Sequence, residues 1–225
     1  MVIDGKRILV LAPLRNSGGK KDATGAFQPE AAAFGKRHGV PKAQVVWIDN
    51  ALGKAAMRKA VLAAIARAKA AAGGLQALAV FCHGWKTGIQ LGFGSGDVDA
   101  LAAALADVKD VRVPLYACNT AQGDGDDAGA VGGDGGFADL LRDALCRAGA
   151  VDCQVDAHTT AGHTTKNPFV RRFQGMGSPH GGAGGFFIVT PRQKPLWGRW
   201  RAALRDTALR HDLPFRSVAE LHAAL

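Results

Sequence analysis

Three short stretches of this chain are apolar where a half-exposed strand would alternate. They are Arg7 to Ala12 ending at Pro13, Leu75 to Cys82 (LQALAVFC), and Val111 to Ala117. A strand with one wet face alternates apolar and polar residues; a strand that fails to alternate is covered on both faces. Strands of that kind belong to a parallel sheet, and a parallel sheet needs a long crossover between neighbours, usually a helix. The stretches between these runs have the length and pattern that such crossovers require.

The order of elements follows. Pro29 is placed to open a short helix ending near Gly39, and Gln44 to Ile48 reads as a second strand. Asn50 is a candidate cap for a helix running to Ala72, which Gly73-Gly74 ends. Asp97 caps a short helix carrying Val98, Leu101 and Leu105, and Phe137 to Ala148 forms another helix ending at Gly149. Cys153 to Ala157 and Gly185 to Thr190 (GFFIVT) read as further strands. Strands separated by helices predict a three-layer α/β/α sandwich with a mainly parallel sheet. Residues 1–190 would form this domain. Residues 191–225 would form a basic helical extension packed on it, its last helix opening with the capping box Ser217-Val-Ala-Glu220.

The chain is 225 residues long, which suits one domain. The glycines number 30 but keep no three-residue period, which excludes collagen. No apolar run reaches the length of a membrane span. The N-terminal MVIDGKRILVLAPLRN lacks the features of a signal peptide and reads as a first strand, so synthesis in the cytoplasm is expected. Cys82, Cys118, Cys146 and Cys153 contain no Cys-x-x-Cys pair and are expected as reduced thiols.

The net charge of +9 invites a nucleic-acid reading, but the distribution argues against one at the functional centre. Residues 1–75 hold 13 basic and 4 acidic residues, residues 76–165 hold 5 and 12, and residues 166–225 hold 10 and 3. The middle third, with both central strand ends, is acidic.

Open parallel sheets place their sites at the carboxyl ends of strands. Two such ends carry reactive groups: the run ending in Cys82 continues into His83-Gly84, and the run VPLY continues into Ala117-Cys118-Asn119. If the two strands are neighbours, an imidazole faces a thiol across the rim of the sheet. That is the pairing a cysteine nucleophile needs, because the thiolate is the reactive form and a histidine takes its proton. A glycine after the base lets backbone approach a substrate carbonyl, so the N–H groups of Gly84 and Cys118 would form an oxyanion hole. The alternative reading of Cys118 is a small buried hydrophobe, which is also the expected role of Cys82, Cys146 and Cys153.

An apolar strand ending in His-Gly, then 35 residues from His83 a strand end carrying Ala-Cys, resembles the clan of cysteine peptidases that contains caspases, metacaspases, legumain, gingipains, clostripain, separase and bacterial CHAT domains. The resemblance covers roughly residues 5–160. It implies a caspase-like sandwich, His83 as the catalytic histidine, Cys118 as nucleophile and Gly84 as oxyanion contributor. Caspases carry Gln-Ala-Cys-Arg-Gly, whereas this chain has Tyr116-Ala-Cys-Asn-Thr120, closer to CHAT-like sequences. The substrate implied is a protein or peptide.

Other clusters bear on specificity and cofactors. Asp156, His158 and His163 follow the strand after the nucleophile. They are expected to line the substrate cleft, with Asp156 receiving a cationic side chain and His158 assisting the dyad; a zinc-dependent hydrolase using His158 and His163 is the rival. Arg15, Lys20 and Lys21 follow the first strand and would instead select an acidic side chain. Trp85 would wall the cleft or fill the core, and Asn119 adjoins the nucleophile on the cleft side. The Gly/Asp stretch 123–136 is expected as a solvated lid. Its aspartates (Asp124, Asp126, Asp127, Asp134) offer oxygen ligands to Ca2+ but lack EF-hand spacing, so no cofactor is required. The last rival is a non-catalytic basic binding module.

Overall fold

The computed structural model describes residues 3–16, 24–123, 135–161, 170–175 and 186–188. Among these the chain is mixed α/β, built on a mainly parallel sheet flanked by helices. The strands are β1 (Ile8–Pro13), β2 (Val45–Ile48), β3 (Ala77–Phe81), the short β4 (Gly84–Trp85), β5 (Gly88–Ile89) and β6 (Phe93–Gly94), then β7 (Arg112–Tyr116), β8 (Gln154–His158), β9 (Val170–Gln174) and β10 (Phe186–Ile188). The helices are α1 (Thr24–Arg37), α2 (Lys54–Ala70), α3 (Val98–Leu105) and α4 (Phe137–Arg147).

The main sheet has seven strands in the order β10-β9-β8-β7-β3-β1-β2. The five from β8 to β2 are parallel; β9 runs antiparallel to β8, and β10 is antiparallel to β9 and so shares the direction of the five. A separate three-stranded antiparallel sheet, β4-β5-β6, follows β3 directly.

The central strands are apolar throughout because both faces are covered. Leu9, Leu11, Leu78, Val80 and Cys82 point into the larger core with α2, α3 and α4. Ile8, Val10, Ala12, Ala77, Ala79 and Phe81 point the other way, against Phe27 and Ala31 of α1. Every residue of β1 and β3 is buried. Each large aliphatic side chain so removed from water contributes about 1.5–3 kcal/mol. Away from the centre the strands alternate: Val113, Leu115, Val155, Ala157 and Phe173 join the larger core, while Arg112, Tyr116, Gln154 and Asp156 lie on the face shared with α1 and are only half-buried.

Two expected helix starts are displaced. Helix α1 begins at Thr24, one turn ahead of Pro29, which lies inside the helix. Helix α2 begins at Lys54 with Gly53 as its N-cap. The Asn50 side chain is engaged elsewhere, accepting from the Arg15 N–H at 2.7 Å and donating to the Arg15 carbonyl at 3.1 Å. Asp97 does occupy the N-cap position of α3, but its carboxylate turns back to the Gly94 N–H (2.9 Å) and to Arg58 (3.2 Å). No helix among the described residues is long and apolar enough to cross a membrane.

Candidate active site

Strands β3 and β7 are neighbours, and their register pairs Phe81 with Tyr116. His83 and Cys118 each stand two residues beyond that pair, at the same level on adjacent parallel strand ends. Parallel neighbours are separated by only about 4.8 Å. Gly84 sets the closeness of approach. A Cβ on it would stand 2.8 Å from the Cys118 carbonyl oxygen and 2.7 Å from both the Ala117 Cβ and the Thr120 Cγ2. Real side chains do not pack at such distances, so only glycine lets the His83 segment lie against the cysteine turn.

Each strand end is held by its own hydrogen bonds. The Gln90 side-chain oxygen accepts from the His83 N–H at 3.3 Å, and the Gln90 N–H donates to the His83 carbonyl at 2.9 Å. The β4–β6 hairpin, whose tip carries Gln90, therefore grips the histidine backbone from both sides. The His83 ring meets Phe27 of α1 edge-on, with centroids 5.0 Å apart and planes at 88°. Such a contact helps fix the ring's orientation.

The cysteine turn is tighter. Asn119 has φ of +60°, the left-handed conformation that asparagine tolerates better than most residues. The Thr120 hydroxyl donates to the Ala117 carbonyl (2.9 Å), and Gln122 bonds to Asn119 through backbone (3.1 Å) and side chain (3.3 Å). The turn is tied to its surroundings by the Ala121 N–H donating to the His158 carbonyl and by the Ala138 N–H donating to the Thr120 carbonyl, both at 2.9 Å. From below, fully buried Arg171 of β9 donates to the Ala121 carbonyl at 2.9 Å. Cys118 is half-buried and unbridged, whereas Cys82 is wholly buried and its thiol is pushed up to about 12, by burial first. The two thiols thus sit side by side in opposite environments, with only Cys118 at the surface.

The remaining expected residues are distributed as follows. Trp85, in β4 next to Gly84, is 55% exposed, outside the core and beside the dyad. His158 ends β8, buried, with its ring 6.2 Å from that of Tyr116. Asp156 lies two residues deeper in β8. It takes a two-pronged ion pair from Arg172 (2.8 and 3.2 Å) and a hydrogen bond from Gln154 (2.8 Å). Arg15 is paired with Asp49 at the end of β2 (2.7 and 3.0 Å), and this pairing holds the Asp49 carboxyl below its ordinary range. His163, Lys20, Lys21, the four aspartates 124, 126, 127 and 134, and residues 191–225 lie outside the described residues.

The arrangement brings together His83, Gly84, Cys118, Asn119 and Trp85, with His158 behind the cysteine turn. It leaves Arg15 and Asp156 each engaged by a partner of opposite charge. Sequence reasoning missed Phe27, Gln90, Thr120 and Arg171. Only Gln90 carried a faint signal, as a polar residue between the apolar Ile89 and Leu91. Against protein-family models, curated proteins and solved structures alike, the chain has no significant match.

Proposed function

We propose that this protein is a cysteine peptidase of caspase-like architecture, acting on protein or peptide substrates through His83 and Cys118. The observation that carries the reading is the level register of these two residues on adjacent central strand ends, with Gly84 pressed against the Cys118 carbonyl. A buried imidazole–thiol coincidence would not require a glycine at that contact.

In this reading His83 takes the proton of the Cys118 thiol, and Cys118 Sγ attacks the scissile carbonyl. The N–H groups of Gly84 and Cys118 stabilise the resulting oxyanion. His83 then returns the proton to the leaving amine, and water hydrolyses the acyl-enzyme with His83 again as base. Trp85 and Asn119 flank the substrate. The ion pairs made by Arg15 and Asp156 mean that neither offers a bare charge, so a charged substrate side chain would have to compete with Asp49 or Arg172.

The test is a Cys118→Ala variant assayed against a peptide library and a thiol-directed acyl probe. The expected outcome is loss of both hydrolysis and labelling, with circular dichroism unchanged. Hydrolysis at the wild-type rate in this variant would overturn the proposal.

A further inference from the structure

A second pair of sulfurs lies at the opposite end of the sheet. Cys146 is in the last turn of α4, and Cys153 immediately precedes β8. Their Sγ atoms are 3.7 Å apart, and both are thiols. A disulfide needs the sulfurs at about 2.05 Å, so oxidation must draw the two together.

The backbone between them is organised for that closure. Helix α4 ends in a Schellman motif: Ala150 N–H donates to the Leu145 carbonyl (2.9 Å) and Gly149 N–H to the Cys146 carbonyl (3.1 Å). Gly149 takes φ of +102°, which reverses the chain. Cys153 N–H then donates to the Ala150 carbonyl at 3.1 Å, completing the return. The two thiols therefore face each other through a hydrogen-bonded turn.

Their environments differ in a useful way. Cys146 is half-buried and reachable by a small oxidant; Cys153 is 1% exposed and donates weakly to the Arg142 carbonyl (3.7 Å). We propose that Cys146 and Cys153 form a redox modification site, at which a hydroperoxide converts the dithiol into a reversible intramolecular disulfide. Cys146 Sγ attacks the peroxide oxygen, the O–O bond breaks, and a sulfenic acid and one water (or alcohol) result. Cys153 Sγ then attacks Cys146 Sγ; the S–O bond breaks, and the hydroxyl leaves with the Cys153 proton as water. Two thiols lose two electrons and the peroxide gains them. Cys146 is the sulfur an oxidant can reach, so it reacts first, and the buried Cys153 beside it resolves. The bond would pin the C-terminal turn of α4 to the start of β8 without involving the dyad.

The experiment uses the full chain carrying Cys118→Ala, so that the surface thiol at the other end does not consume oxidant. The protein is treated with hydrogen peroxide, denatured, alkylated and digested without reduction. The expected product is a 146–153 cross-linked peptide about 2 Da lighter than the dithiol, restored to the alkylatable form by dithiothreitol. It should vanish in Cys146→Ser and in Cys153→Ala. The proposal is overturned if Cys146 accumulates added oxygen with no cross-link, if both thiols remain alkylatable, or if the lighter product persists in either variant.

Discussion

Gly84 illustrates how one missing methyl group defines a site. Any Cβ there meets three atoms of the cysteine turn below 3.0 Å, one of them backbone oxygen. Gly84→Ala should therefore cost about 1–3 kcal/mol through overpacking. If His83 and Cys118 act as proposed, it should cost the hydrolysis far more, because displacing the histidine segment by about 1 Å lowers kcat/KM by roughly a hundredfold. Steady-state kinetics beside a urea melt separate the two effects. An activity loss no larger than the stability loss explains would contradict this role for Gly84. At this scale the sequence was informative about chemistry and silent about support. His83, Gly84 and Cys118 stood out because they end apolar runs. Phe27, Thr120 and Arg171 did not, because a phenylalanine in a helix and a threonine in a turn look the same whether or not they brace a dyad.

Among the elements, β1 and β3 were legible because burial on both faces writes an apolar run into the sequence, whereas β7 alternates between buried and half-buried residues and was legible from Val113 and Leu115 on its core face. The strand β9 was not. Its residues are Val170-Arg-Arg-Phe-Gln174, and its inward positions include Arg171, fully buried because it serves the Ala121 carbonyl. A strand whose core face carries an arginine defeats the apolar count. The two-residue strands of the β4–β6 hairpin were hidden for another reason: a glycine in each member, Gly84, Gly88 and Gly94, reads as loop. In α4 the buried pair Asp139–Arg142 (2.6 Å) has a similar supporting role, with Asp139 also accepting from the Gly135 N–H at 3.0 Å and Arg142 donating to the Gln174 carbonyl at 2.9 Å. Asp139→Asn leaves a buried guanidinium without its buried counter-charge, although the more exposed Asp143 remains at 2.6 Å. It should lower stability by about 2–3 kcal/mol, seen as a lower urea midpoint with an unchanged m-value.

For the whole molecule, the buried acids set the response to alkali. Burial pushes Cys82, Cys153 and Tyr116 each up to about 12, from ordinary values of 9, 9 and 10. A raised pKa in the folded state means that the unfolded chain releases its proton first as pH rises. The stability contributed is full below pH 9 and is lost progressively as pH approaches 12. Thermal melts between pH 8 and 12 should show a falling midpoint, and Cys82→Ala should flatten that fall; an identical slope in the variant would refute the contribution of Cys82. The layered α/β plan was legible at this scale from strand and helix alternation alone. The antiparallel direction of β9 was not, since direction leaves no mark in composition.

The grip of Gln90 on both sides of His83 reaches beyond the site itself. Six residues separate His83 from Gln90, and the two hydrogen bonds of Gln90 to the His83 backbone tie the length of this segment to the position of the histidine. An insertion or deletion between Trp85 and Ile89 would move Gln90 out of register with the His83 backbone. An engineer seeking a place for a tag or a graft in this chain should leave residues 84–94 uncut, keeping both their count and the glycine at 84.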